Sequence, residues 1–270
     1  MAVVPFPDPQ NQNDRDRWDD ADERDAGGKM SFLEHLDEFR KRLIRALISL
    51  AIGVALSVFF VDKILAFIMV PLQQMLLPGH QFIYTEPTEA FLLYLKAALM
   101  SGLIIASPVI ALQIWLFVAP GLYANEKKFA VPFILFMTVG FVGGAAFSHY
   151  VVFPLMWQYL ASFDNQFLTF TPRIAPSFSL YMRMMIATAL IFQMPTLVFA
   201  LARMGVVTPR WMVRNFKYAV LISFIVSAVV TPGGDPMSQA LLAGPMCGLY
   251  VLSIGIAWIF GKRRKTEEES

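Results

Sequence analysis

One cysteine, Cys247, is all the thiol chemistry this chain carries, so a disulfide within it is impossible and a metal site built on paired thiols is excluded. It lies inside the last apolar run and reads as a packed apolar thiol. Histidine is nearly as scarce. His35, His80 and His149 are widely separated, no acid-histidine cluster with metal-ligand spacing accompanies them, and His149, at the end of an apolar run, reads as an interfacial residue. A serine-centred nucleophile turn and a glycine loop for phosphate are missing too. These absences argue against an enzyme and against a resident metal or other cofactor, and any energy for work must come from a source other than a nucleotide. Charge is also sparse. Only 16% of the residues are charged and the formal net charge is +2, too small to suggest nucleic acid as a partner.

What the chain does have is hydrophobic residues, 57% of the total, more than a soluble fold has polar surface to cover. The distribution is uneven. Residues 1–30 are almost all polar and are expected to be a disordered tail, without the apolar stretch a secretory signal needs. Residues 31–260 read as a membrane domain, and 261–270 as a second, C-terminal tail.

About 20 apolar residues cross a bilayer core, and six runs approach or reach that length: Leu43 to Val61, Ala97 to Val118, Val131 to Leu155, Phe178 to Leu201, Phe216 to Val230 and Gln239 to Phe260. The expected fold is therefore an all-α membrane protein of six transmembrane helices. Basic residues orient it. One set of flanks holds fifteen, among them Arg40, Lys41, Arg42, Arg45, Lys127, Lys128, Arg203, Arg210, Arg214 and Lys262–Lys265; the other holds four, Lys63, Lys96, Arg173 and Arg183. The positive-inside rule puts both termini in the cytoplasm, N-in and C-in. The fifth run is short, about 22 Å at 1.5 Å per residue against a core of about 30 Å, so local thinning of the bilayer is expected beside it unless Arg214 and Asn215 extend the span.

Prolines at 108, 132, 154, 195 and 245 fall in or near apolar runs and predict bent helices. No internal repeat is visible. Its absence, and the lack of acids and bases deep in the runs, weigh against the competing reading, a small-molecule or ion secondary transporter. Arg183 is close enough to the external face to snorkel.

Two polar segments border the inner face. Before the first run, Phe32, Leu36, Phe39 and Leu43 recur every three or four residues with Glu34, Asp37, Glu38 and Lys41 on other faces, which predicts an amphipathic helix on the cytoplasmic surface. Its acids and bases are spaced for i,i+4 ion pairs. Between the second and third runs, Pro120 and Gly121 end a helix, and Glu126 precedes Lys127 and Lys128 where the next begins. Taken alone, Glu126 reads as a helix N-terminal acid favoured by the dipole.

With these segments in view, the chain resembles the TatC family of twin-arginine protein translocases. The matching stretches run in order through the membrane domain: His35 to Leu43, Pro71-Leu72, Thr88 to Phe91, Ser107 to Val109, Phe117 to Glu126, Phe153 to Leu155, and Thr231 to Gln239. The resemblance implies a receptor for the paired arginines of signal peptides, working in a multimeric complex with single-span TatA/TatB-type subunits in the bacterial cytoplasmic (inner) membrane and drawing on the proton-motive force. Carried over on the matching motifs, Glu38 and Glu126 are the acids expected to bind signal peptide, with Arg40 and Phe117 supporting them. Two separated carboxylates suit two guanidinium forks, whereas lysine offers only a point charge.

The resemblance also picks out Gln193, with Met194 and Pro195, as a partner-helix contact. Many family members carry glutamate where this chain has Gln193. A buried amide near mid-bilayer must hydrogen-bond, either to a partner helix or within its own bundle, for instance to a carbonyl freed by Pro195; it does not titrate. Pro71, Glu89, Phe91, Asp235 and Gln239 complete the expected functional positions. Asp235 reads equally as an organiser of the Gly233-Gly234 turn or of the helix start that follows, and Glu89 as a helix-start acid.

Overall fold

The computed structural model describes residues 32–74, 76, 81–118, 130–164, 166–167, 170–231 and 235–261. The expectations for the 1–30 tail, for Glu126 and for the C-terminal tail beyond Gly261 fall outside those residues. Among the described residues all regular structure is helical, apart from one isolated bridge between Ile83 and Arg173. Met1–Arg45 and Ala46–Ser270 are two compact units.

Helix α1 (Phe32–Val58) joins the expected amphipathic segment and the first apolar run into one element. The run was expected to continue to Val61. Instead the helix stops at Val58, the chain turns at Phe59 and Phe60, and α2 (Val61–Gln74) leaves at 81°. Sequence patterning had not assigned α2. Its Leu65, Ile68 and Leu72, spaced by three and four, are all buried, so one apolar stripe packs into the core.

Helix α3 (Pro87–Val118) starts ten residues before the expected Ala97, with Pro87 at its first position, where a missing N–H costs nothing. The charges that seemed to end the run, Glu89 and Lys96, are held by Arg173, just before α6, and by Ser179 on α6, described below. Helices α4 (Ala130–Phe147) and α5 (Phe153–Ala161) are joined by a π-helical stretch, Ser148–Val152, just ahead of Pro154, whose ring cannot accept the regular ladder. Helices α6 (Ile174–Ile191) and α7 (Met194–Arg203) are likewise parted at Phe192–Gln193 just before Pro195. Then follow α8 (Pro209–Arg214), α9 (Phe216–Val230) and α10 (Pro236–Phe260).

Four stretches are long and apolar enough to cross a membrane: Pro87–Phe117, Val131–Ala161, Ile174–Arg203 and Pro236–Phe260. The bent α1–α2 pair qualifies as a fifth, and α9 is apolar but shorter. The bounds of α9 match the sequence reading. Asn215 separates it from α8, so Arg214 and Asn215 do not lengthen it.

Small residues decide where helices cross. A Cβ on Gly144 of α4 would lie 2.7 Å from the Ala189 Cα and 2.8 Å from the Thr188 carbonyl oxygen on α6, and one on Gly140 would lie 3.1 Å from the Phe192 carbonyl oxygen. This Gly-x-x-x-Gly edge lets the backbones touch, the kind of van der Waals packing that associates helices in lipid. Gly53 on α1 and Gly102 on α3 form a second close crossing, where a Cβ on Gly53 would stand 2.5 Å from the Gly102 carbonyl oxygen.

The main core gathers α2, α3, α4, α5, α6 and α10 around Leu72, Phe153, Met156, Phe178, Tyr181 and Met184. His149 is buried against its Tyr181, which corrects the interfacial reading. The helix runs on past it to Ala161, and its ring is buried, stacked on Phe67 at 4.6 Å and hydrogen-bonded through Nδ1 to the Tyr181 hydroxyl at 2.9 Å.

Candidate functional site

The N-terminal unit carries the acid-base cluster that the sequence placed on the inner face. The period of α1 sets Glu34, Asp37, Glu38, Lys41, Arg42 and Arg45 on one face, where they line an open concavity of about 470 Å³. Two i,i+4 ion pairs lie in it, as the spacing predicts: Lys41 Nζ to Asp37 Oδ2 at 2.7 Å, and Arg42 Nη2 to Glu38 Oε1 at 3.0 Å. They differ in exposure. The Asp37 pair is open to solvent, and the hydrogen bond and charge of Lys41 hold the Asp37 carboxyl below the usual carboxylate range, helped by the charge of Arg40. The Glu38 pair is only about one-fifth exposed, and Glu38 Oε2 is buried with no hydrogen-bond partner among the described residues. A carboxylate has about four lone-pair sites, so Glu38 retains capacity for a further donor.

Arg40 is exposed on the same helix, and Phe117 is half-buried at the C-terminal end of α3 in the other unit. Glu126 lies outside the described residues.

Gln193 sits at the α6–α7 break and is buried. Its Nε2 donates to the Met137 carbonyl on α4 at 3.1 Å and to the Ala189 carbonyl at 3.4 Å. The bond within the bundle is therefore made, to carbonyls other than the one Pro195 frees, because the close α4–α6 crossing at Gly140 brings Met137 within reach. Gln193 Oε1 is buried without a partner among the described residues. Met194 and Pro195 are half-buried beside it.

At the opposite ends of α3 and α6 the structure shows a relationship that the sequence reading missed. Glu89, in the first turn of α3, is buried and accepts a 2.5 Å hydrogen bond from Arg173 Nη2, with the Thr85 hydroxyl donating to the same oxygen at 3.3 Å. The chain clamps this pair from both sides, since Ile83 N–H donates to the Pro172 carbonyl and Ile174 N–H to the Ile83 carbonyl. One signal was available: Arg173 is among the four basic residues on the sparsely charged flank, where an isolated cation calls for an acid.

Asp235 is the N-cap of α10, its Oδ2 accepting from the Ser238 N–H at 2.8 Å. Burial raises its carboxyl pKa, but the bonds from Ser238, its own N–H and the Tyr159 hydroxyl outweigh that and leave it below the ordinary value. One turn on, the Gln239 carbonyl accepts the Ser227 hydroxyl at 2.6 Å, tying α10 to α9. Phe91 is largely exposed at the start of α3, and Pro71 lies within α2.

Comparison with known proteins decides the family, because the model of the Sec-independent protein translocase protein TatC matches residues 34–245. The chain belongs to the TatC family. It is 38% identical over 249 residues to the TatC of Koribacter versatilis, covering 88% of this chain and 91% of that protein, and 34% identical over 241 residues to the TatC of Desulforapulum autotrophicum, covering 89% of each. A crystal structure described as the twin-arginine translocase receptor TatC superposes with a TM-score of 0.75 at 32% identity, covering 84% of this chain and 99% of that one. A second, in DDM, gives 0.73 at 31% identity. The chain thus has the TatC fold and is a membrane protein of the twin-arginine translocation family, whose relatives are named as translocase components.

Proposed function

We propose that this TatC-family chain is the receptor subunit that grips the paired arginines of signal peptides at its N-terminal concavity and supports transport of folded proteins across the bacterial cytoplasmic membrane. The observation that carries this reading is Glu38, a sheltered carboxylate with one oxygen held by Arg42 and the other without a partner among the described residues. An incoming guanidinium can take Oε2 directly and compete with Arg42 for Oε1. Its planar fork suits this carboxylate, and partial desolvation strengthens the bond. The family resemblance makes Glu126 the second acid of this reading, with Arg40 and Phe117 as supporting positions.

In this reading the chain has six spans with both termini cytoplasmic, a polar 1–30 tail, a 31–260 membrane domain and a 261–270 tail. The fifteen-to-four bias of basic flanks supports that orientation. Helix α9, at 15 residues, spans by thinning the bilayer around it; solvent labelling that finds Lys217 and Asp235 at ordinary headgroup depth beside an unthinned bilayer rules this out. Gln193, with Met194 and Pro195, meets a TatA/TatB-type single-span helix, whose donor satisfies Oε1. Being an amide, Gln193 takes no part in proton transfer, although the translocase as a whole draws on the proton-motive force.

Site-specific photocrosslinking from positions 38, 117, 126 and 193 in the assembled complex tests the assignment. The first three are expected to capture signal peptide and the last a partner helix. Signal peptide captured from none of the first three, while the complex still docks cargo, overturns it.

A further inference from the structure

Two cations lie inside the membrane-spanning stretches without a carboxylate partner among the described residues. Lys96 on α3 and Arg183 on α6 each stand nine residues into a helix, about 14 Å along its axis. The two helices start from one end of the protein, since Glu89 and Arg173 bind each other there. The cations therefore share a level. They are also linked: Lys96 Nζ donates to Ser179 Oγ at 2.8 Å, and Ser179 is one turn before Arg183 on the same face of α6. Glu89, the acid two turns before Lys96 on α3, is taken by Arg173, so no acid of that stretch offsets them.

The surroundings bear on the depth and the character of this site. Helix α3 has 32 residues, about 48 Å, and exceeds a hydrocarbon core of about 30 Å, so its start projects from the core and Lys96 lies roughly 5 Å inside the boundary if the excess is shared between its ends. The exposed rings of Phe91 and Tyr94 stand just before Lys96 on α3, where interfacial aromatics belong. Below the cations, Leu99 and Leu190 are exposed and apolar. Arg183 is itself exposed on the outward stripe Pro176–Arg183–Leu190. Unpaired charge at this depth is costly unless something anionic comes down to meet it or the side chains snorkel up to it.

We infer that Lys96, Ser179 and Arg183 form a binding site for the phosphate of an anionic phospholipid, in the leaflet at the Glu89–Arg173 end, with its acyl chains against the exposed leucines. The guanidinium gives a two-pronged contact, the ammonium has two hydrogens left after Ser179, and the Ser179 hydroxyl has its own proton to donate. The site shares no residue with the signal-peptide concavity, and under the proposed topology it faces the outer leaflet.

The test titrates the purified full-length chain with phosphatidylglycerol and with phosphatidylcholine, counting retained lipids by native mass spectrometry. Wild type is expected to prefer phosphatidylglycerol, Lys96→Gln and Arg183→Gln each to lower that preference by about five-fold, and the double variant to abolish it. Arg183→Lys retains most of it. Should the double variant fail to fold, judged by thermal unfolding, the exposed single Arg183→Gln carries the reading. The inference is overturned if wild type shows no preference, if Arg183→Gln binds phosphatidylglycerol as wild type does, or if the variants keep the preference but lose a co-purifying subunit, which would assign the cations to an acid on a partner helix.

Discussion

Arg42 holds one oxygen of Glu38 at 3.0 Å while the other oxygen of the same carboxylate is buried without a partner among the described residues. A carboxylate in this state is sheltered and oriented but not saturated. In the proposed receptor role its own neighbour competes with the peptide for one of its two oxygens. Partly exposed ion pairs of this kind contribute about 0.2–1 kcal/mol, so the competition is mild. Removing Arg42 as Arg42→Gln is expected to tighten binding of a twin-arginine peptide by up to about five-fold at low salt, read by fluorescence anisotropy, with the gain shrinking as ionic strength rises. Weaker binding instead would make Arg42 part of the recognition surface.

The α4–α6 crossing gives a prediction about stability. Gly144→Leu places side-chain carbon against the Ala189 and Thr188 backbone, which cannot yield, and is expected to cost about 1–3 kcal/mol or more in thermal or denaturant unfolding of the detergent-solubilised chain. Gly143, whose Cβ would meet nothing within 4 Å, is the control. Gly143→Ala should be neutral or slightly stabilising in the same measurement. Equal effects at the two sites would mean that the crossing is not close-packed.

Removing the cation from an ion pair whose carboxylate is buried harms more than neutralising both partners. Arg173→Ala is therefore expected to lower the melting temperature more than the double change Arg173→Ala with Glu89→Gln, since the single change strands the Glu89 carboxylate. A double-mutant cycle reads the coupling. Additive effects would show that the pair does not hold the ends of α3 and α6 together.

Asp235 separates capping from any direct role. Asp235→Ala loses the Ser238 bond and is expected to destabilise by about 0.5–2 kcal/mol, while Asp235→Asn retains a capping oxygen and stays near wild type. Because folding lowers this carboxyl pKa, its contribution is present above the ordinary value of 3.8 and is lost as pH falls through the lower folded value. A difference in stability between wild type and Asp235→Asn should therefore shrink only at strongly acid pH. If Asp235→Asn keeps full stability but stops export, the residue has a direct role in transport.

Much of this protein is legible in the order of its residues, for reasons that differ from element to element. Helix α9 is bounded in sequence by Asn215 and Thr231, and the structure keeps those bounds because both ends are set locally. The i,i+4 pairs of α1 follow from helical period alone. Asp235 as an N-cap needed only its place before an apolar run. The turn at Phe59–Phe60 was missed because apolar residues on both sides hide the stop; only the buried stripe of α2 explains it. Glu89–Arg173 and His149–Tyr181 join residues 84 and 32 positions apart, and such contacts depend on tertiary packing that no local pattern encodes. Glu38 is singled out by family resemblance, and its unpartnered Oε2 beside the Arg42 bond by geometry.

The most direct test titrates twin-arginine and twin-lysine signal peptides against the wild-type chain, Glu38→Gln, Glu126→Gln and the double variant in one assembled complex. The account predicts that each neutralisation weakens the twin-arginine peptide more than the twin-lysine one, and that the double variant no longer distinguishes them. Equal weakening of both peptides, or undiminished twin-arginine binding after both acids are removed, would contradict it.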